Sequence, residues 1–243
     1  MKLKPFFSYY GSKWRSIPKY PEPKYDTIIE PFAGSATYAL HYSDREIILY
    51  EKNEDLVYLW NYLIEATPDE IMSLPVFGEF DHLDEIDVPY GARMLIGYSM
   101  QEAGASIRRQ FSAWAKDDKK NRMGIWNKDK RKRVAEQIEA INHWKCYHTP
   151  QLNLVPNREA TWFIDPPYQD AGYCYKHSSK QLDFQQLAIW SKTRNGQVIV
   201  CENEGADWLR FDYIYRNQSV SGKQKKHIFR NEVFAHIENG QYI

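Results

Sequence analysis

Asp165-Pro166-Pro167-Tyr168 follows directly on Ala160-Thr161-Trp162-Phe163-Ile164, an apolar run with the length of a buried strand. The order puts an acceptor, a rigid turn and an aromatic ring together at the carboxyl end of that strand. In open α/β sheets this is the edge where ligands bind. Two prolines remove two backbone donors and fix φ, which leaves carbonyls free to accept from a substrate. The group best served is an exocyclic NH2 on a flat ring. The Asp165 carboxylate and the Pro166 carbonyl would accept its two hydrogens, and Tyr168 would stack on the ring.

A second set of residues precedes it. Pro31-Phe32-Ala33-Gly34-Ser35-Ala36 lies between a short apolar strand, Thr27–Glu30, and a helix opening at Thr37. Small residues there let backbone amides approach a ligand, and a helix amino end adds partial positive charge; a tight turn also needs small residues for its own sake. Glu51 ends the next strand, Glu46–Glu51, where an acidic residue accepts from ribose hydroxyls in a Rossmann-type site. The turn lacks a full G-x-G-x-x-G, which favours a nucleoside over a dinucleotide.

The elements that must position these groups follow a βαβα rhythm. Leu56, Leu59, Trp60, Leu63 and Ile64 repeat at helical spacing after the second strand, as expected of a helix lying on a parallel sheet. From 66 to 128 the rhythm is lost, apolar residues thin out, and Gly and charge are frequent; this is read as an inserted region. A helix over Lys130–Trp144, the strand before Asp165, a helix over Phe184–Thr193 and a strand at Gln197–Glu202 follow. Two last strands, Phe211–Val220 and His227–Ile237, flank Ser221-Gly222-Lys223, a hairpin connection. The expected sheet is mostly parallel, with an antiparallel hairpin at one edge.

The 243 residues suit one α/β domain with an insertion. No stretch is long and apolar enough to span a membrane, and Met1-Lys2-Leu3-Lys4-Pro5 lacks an apolar signal core. Cys146, Cys174 and Cys201 are odd in number and far apart, and no histidines follow H-E-x-x-H, so neither disulfides nor a metal are expected. A reducing cytoplasm is the expected location.

The formal net charge of zero hides a segregation. Residues 65–90 carry Glu65, Asp69, Glu70, Glu79, Asp81, Asp84, Glu85 and Asp87 and no Lys or Arg. Residues 108–133 are strongly basic, from Arg108 and Arg109 to Lys130, Arg131, Lys132 and Arg133; Arg216, Lys223, Lys225, Lys226 and Arg230 form a second basic tract. Phe111, Trp114, Trp126 and Phe229 interleave them, a composition suited to a polyanion with stackable bases as well as to a solvated helix face. The acidic stretch is expected on the side away from nucleic acid. Arg108, Arg109 and Gln110 are candidate readers of base edges, because Arg matches guanine and Gln adenine.

Tyr10-Gly11-Ser12-Lys13, Glu30-Pro31-Phe32-Ala33-Gly34-Ser35, Glu51 and Asp165-Pro166-Pro167-Tyr168, in this order, resemble the Dam-type (D12 class) DNA adenine-N6 methyltransferases. The resemblance continues through Asp183–Leu187, Val198–Asn203 and Lys225-Lys226 before Asn231-Glu232-Val233, covering about 6–64 and 130–237. It implies a Rossmann-like α/β fold using S-adenosylmethionine, with catalytic residues in 1–65 and 129–243 and a target-recognition insert at 66–128. Tyr10, Gly11 and Lys13 would close over the cofactor, Phe32, Ala33 and Gly34 would line its methionine part, Glu51 would hold its ribose, and Asp165 would face both cofactor and base. Arg108, Arg109, Gln110, Lys130, Arg131, Lys223, Lys225 and Lys226 would contact double-stranded DNA. Ala36 stands where the family has a second Gly, and Arg108-Arg109-Gln110-Phe111 echoes the family's recognition signature only in part, so no target sequence carries over. RNA adenine, the N4 amine of cytosine and a nucleic-acid-binding protein with a silent site are the alternatives.

Overall fold

The computed structural model describes residues 2–101, 104–112, 125–220 and 227–243; for 215–220 and 227–230 only the backbone is described. Strands β1 (Thr27–Glu30) and β2 (Glu46–Glu51) are linked through α1 (Thr37–His41), and α2 (Glu54–Glu65) follows. The N-terminal cap of α2 is Asn53, whose side chain accepts from the Asp55 amide at 3.2 Å. Its Leu56, Leu59, Trp60 and Leu63 are fully buried, each contributing ~1.5–3 kcal/mol by leaving water.

Next come α3 (Pro68–Ser73), α4 (Tyr90–Ser99), α5 (Lys128–Gln137) and β3 (Lys145–His148). The chain continues through β4 (Ala160–Ile164), α6 (Phe184–Lys192), β5 (Gly196–Asn203), β6 (Tyr213–Val220), β7 (His227–Glu238) and β8 (Gln241–Tyr242). The sheet runs β3-β2-β1-β4-β5-β7-β6, with β8 on β7. The first five are parallel, and β7 is antiparallel to β5, β6 and β8. The protein is therefore α/β with a mostly parallel mixed sheet, compatible with a Rossmann-like fold.

Both faces of the sheet are covered, which explains the unbroken apolar runs of β1 and β4. Side chains alternate: Ile28 and Phe163 pack into one core with Leu3, Phe6, Phe7 and Trp60, while Ile29, Trp162 and Ile164 pack into the other with Leu187 and Val198. The chain leaves β1 outward through β2 and β3, then returns to β4 on β1's other side. That reversal opens a crevice between the carboxyl ends of β1 and β4.

Where the apolar rhythm is lost, the described residues are ordered differently from the sequence reading. The start of α3 is closed by a reciprocal capping box between Thr67 and Glu70. Eight of the ten residues of α4 are buried. Gly91 lets α4 meet α2, since a Cβ there would lie 2.3 Å from the Tyr58 carbonyl. Ile71, Leu74, Leu83, Leu95, Phe111 and Trp126 join the same core as Phe6 and Trp60. Short helices buried on several sides carry no amphipathic stripe, so periodicity missed them. The helix read as Lys130–Trp144 is α5 followed by a 3-10 turn over Ile138–Ile141. No helix among the described residues is long and apolar enough to cross a membrane.

Candidate active site at the β1–β4 crevice

Glu30 ends β1 and Asp165 follows β4, so the sheet brings both carboxyl groups to the crevice. From the N-terminal segment Lys13 reaches in, 4% exposed, with its ammonium 2.7 Å from both Oδ1 and Oδ2 of Asp165. The same ammonium lies 4.6 Å from the centre of the Tyr168 ring, within cation–π range. Burial alone would push the Lys13 pKa down; the carboxylates of Asp165 and Glu232 outweigh it and hold the ammonium above its ordinary value. Burial raises the Asp165 carboxyl, with Lys13 pulling the other way. The Tyr168 face assigned by sequence to a stacked base is thus met by a lysine.

The loop after β4 is pinned from β5. Glu202, fully buried, accepts from the Gln169 amide at 3.1 Å, the Asn203 amide at 2.8 Å and the Trp208 indole at 3.0 Å. Glu30 is 2% exposed and accepts from the Ala39 amide at 2.7 Å. Burial lifts its carboxyl to about 8 against that hydrogen bond.

Two spaces adjoin at Asp165. One, of about 790 Å³, is walled by the β1–α1 turn (Phe32, Ala33, Gly34), Glu30, Glu51, Asn53, Tyr10 and Gly11, and by the loop carrying Tyr175 and Lys176. The other, of about 710 Å³, holds Lys13, Pro166, Tyr168, Asn203 and Glu232. Asp165, Tyr10, Gly11 and Tyr175 belong to both. Gly11 has φ +78°, and a Cβ there would lie 2.4 Å from the Tyr175 hydroxyl, which donates to the Tyr10 carbonyl at 3.1 Å. Any other residue there would be strained at that φ and would displace the Tyr175 hydroxyl.

Glu51 sits at the other end of the first space. Its Oε2 accepts from the Gly34 amide at 2.9 Å and its Oε1 from the Asn53 amide at 2.8 Å, so it shapes the turn as well as facing the space. Burial raises its carboxyl while these amides oppose the shift. Trp60 donates to the Gly34 carbonyl at 2.9 Å. Ala36, at φ +47° and ψ 45°, adopts the left-handed conformation that favours glycine.

The basic candidates divide. Lys130 is 2% exposed; burial, and beyond it Arg133, lower its ammonium to about 7. Arg131 is half-buried and donates to the Leu74 carbonyl at 2.6 Å. Both corrections have one cause, an inward turn: the Lys130 ammonium donates to the Ser8 hydroxyl of the N-terminal segment at 3.4 Å and Arg131 reaches the end of α3, so neither is presented to a phosphate. Arg108, Arg109 and Gln110 are exposed. Arg109, however, pairs with Asp84 and Arg108 donates to Gln101 at 3.2 Å. The acidic stretch is therefore partly beside the basic one, not wholly away from it. Lys223, Lys225 and Lys226 lie outside the described residues.

No role was assigned from sequence to Tyr9, Asn53, Tyr175, Lys176, Glu202, Asn203 or Glu232. Glu202 and Asn203 close the Val198–Asn203 run, Glu232 lies within Asn231-Glu232-Val233, and Tyr9 and Asn53 stand beside Tyr10 and Glu51; Tyr175 and Lys176 lie in a loop without a motif. No group of three or more His, Cys, Asp or Glu among the described residues is arranged to hold a metal ion. Neither protein-family models nor curated proteins give a match to the chain.

Proposed function

We propose that this protein transfers a methyl group from S-adenosylmethionine to the N6 amine of adenine in DNA. What carries the reading is that one carboxylate, Asp165, walls two adjoining spaces at the carboxyl ends of β1 and β4. The first space suits the cofactor's chemistry. Glu51 can accept from a ribose, Phe32 and Leu182 offer apolar surface, and the Asp165 carboxylate favours a cationic tail. When bound, that group supplies an electrophilic methyl on a sulfonium.

The chain's own residues do the rest. An adenine amine is a poor nucleophile because its lone pair is delocalised into the ring. Asp165 and the Pro166 carbonyl would accept its hydrogens and localise that pair. As the nitrogen gains the methyl carbon, that carbon's bond to sulfur breaks and the nitrogen's extra proton goes to water, so catalysis is positioning with electrostatic support. A carboxylate has about four lone-pair sites, and Lys13 uses two in the arrangement described. An ammonium there opposes positive charge growing on the nitrogen, so the amine takes over an oxygen that Lys13 now holds. In duplex DNA the base must first leave the stack, at a cost of a few kcal/mol.

The test is expression of the wild type and Asp165→Asn in a methylation-free bacterial host, with modified bases mapped by direct sequencing. N6-methyladenine with the wild type alone is the expected result. Folded, soluble wild type leaving host DNA unmodified overturns the reading.

A further inference from the structure

Past Tyr10, Ala171 and Asn203, the space that holds Tyr168 continues into a third one lined also by Asp170, Tyr173, Glu204 and Asn231. Tyr173 stands at it in solvent at 73% exposure, and Tyr10, 38% exposed, packs edge-on against Tyr175 at 5.7 Å and leaves part of its ring open. Rings of that size left outside a core are available to stack. The far wall is built rather than loose: Asn231 donates through Nδ2 to Glu204 Oε2 at 2.7 Å, and the Glu204 amide donates to the Asn231 carbonyl at 3.1 Å. That leaves Glu204 Oε1, the Asn231 side-chain oxygen and the Asp170 carboxylate as acceptors. Among the described residues no Lys or Arg lines this space.

Acceptors beside aromatic faces suit a flat ring carrying an exocyclic amine and disfavour a phosphate. A carboxylate accepts from the cytosine N4 amine, whereas thymine offers an oxygen at the same position. Stacking on tyrosine itself is indifferent to base identity. We propose that this third space is a subsite for the nucleobase next to the methylated one, selective for a base with an exocyclic amine. The proposal rests on the reading of the Asp165 chamber given above. It defines the substrate class further: two adjacent bases out of the stack, a state reached most readily in unpaired DNA.

The experiment measures kcat/KM on oligonucleotides holding one target adenine, flanked on either side by cytosine, thymine or an abasic position, both single-stranded and in duplex. On one side cytosine should exceed thymine by about tenfold, a difference of ~1.4 kcal/mol, and the single strand should be the better substrate. Tyr173→Ala should slow the cytosine-flanked substrate about tenfold and leave the abasic one unchanged. In Glu204→Gln the new amide oxygen can still accept from Asn231, which turns a donor into the space and shifts preference towards thymine. Methylation indifferent to both flanks, or a Tyr173→Ala loss equal on abasic DNA, overturns the subsite alone. No methylation of any oligonucleotide overturns the subsite together with the function it rests on.

Discussion

Lys13 and Asp165, 152 positions apart in sequence, form one ion pair in which a single ammonium bridges both carboxylate oxygens at 2.7 Å. The pair ties the N-terminal segment to the end of β4, and so closes the roof of the crevice onto the sheet.

Lys13→Met leaves the carboxylate without its cation. Removing one partner of a fully buried pair costs ~3–5 kcal/mol; here the loss should be smaller, because the Asp165 side chain keeps 21% exposure. The double variant with Asp165→Asn should regain much of it. Urea denaturation of the four proteins gives the coupling, and additive losses would show that the pair contributes nothing.

Glu30 makes stability depend on pH. Its folded value, about 8, lies above its unfolded 4.5, so the folded protein binds the extra proton between those values. The contribution is full below about 4.5 and is lost as pH rises towards 8, at no more than ~1.4 kcal/mol per pH unit. Glu30→Gln keeps an acceptor for the Ala39 amide and should flatten this part of the profile. Denaturation midpoints across pH 4 to 9, the two curves running parallel, would refute it.

Ala36→Gly should leave stability nearly unchanged: relief of the left-handed conformation, ~1–2 kcal/mol, is offset by a lost core methyl, ~0.8 kcal/mol, and by the freer unfolded chain, ~0.4–1 kcal/mol, since Ala36 is 1% exposed. A denaturation midpoint displaced strongly in either direction at unchanged slope would refute this balance.

Lys130→Met should raise stability and leave DNA affinity and its salt dependence untouched. A lysine held at about 7 when folded titrates near ~10.4 when unfolded. Its stability is intact above that value and is lost as pH falls to about 7, so the advantage of methionine grows over that window and then levels off. A shallower salt slope in DNA binding would return Lys130 to the phosphate contacts.

What was legible in the sequence was whatever a buried parallel strand writes into its residues. The apolar runs of β1, β2, β4 and β5, with Glu30, Glu51 and Asp165 at or just after three of them, marked the strand ends that carry the site; that β1 and β4 are neighbours comes from the sheet order. β3 was illegible, because Lys145-Cys146-Tyr147-His148 is an edge strand with one buried side chain. Basic spacing alone gave no sign that α5 turns Lys130 inward, since a charge run records composition and not which face packs. The Lys13–Asp165 pair and the Arg109–Asp84 pair are tertiary, joining segments that no local pattern connects.

Tyr10 borders all three spaces of the cleft, with its carbonyl held by Tyr175 and its amide donating to the Gly104 carbonyl at 3.3 Å. One residue serves as a common partition between the compartments. An occupant that moved this partition would alter the affinity of its neighbours, and by reciprocity each of them would alter that occupant's affinity by the same factor.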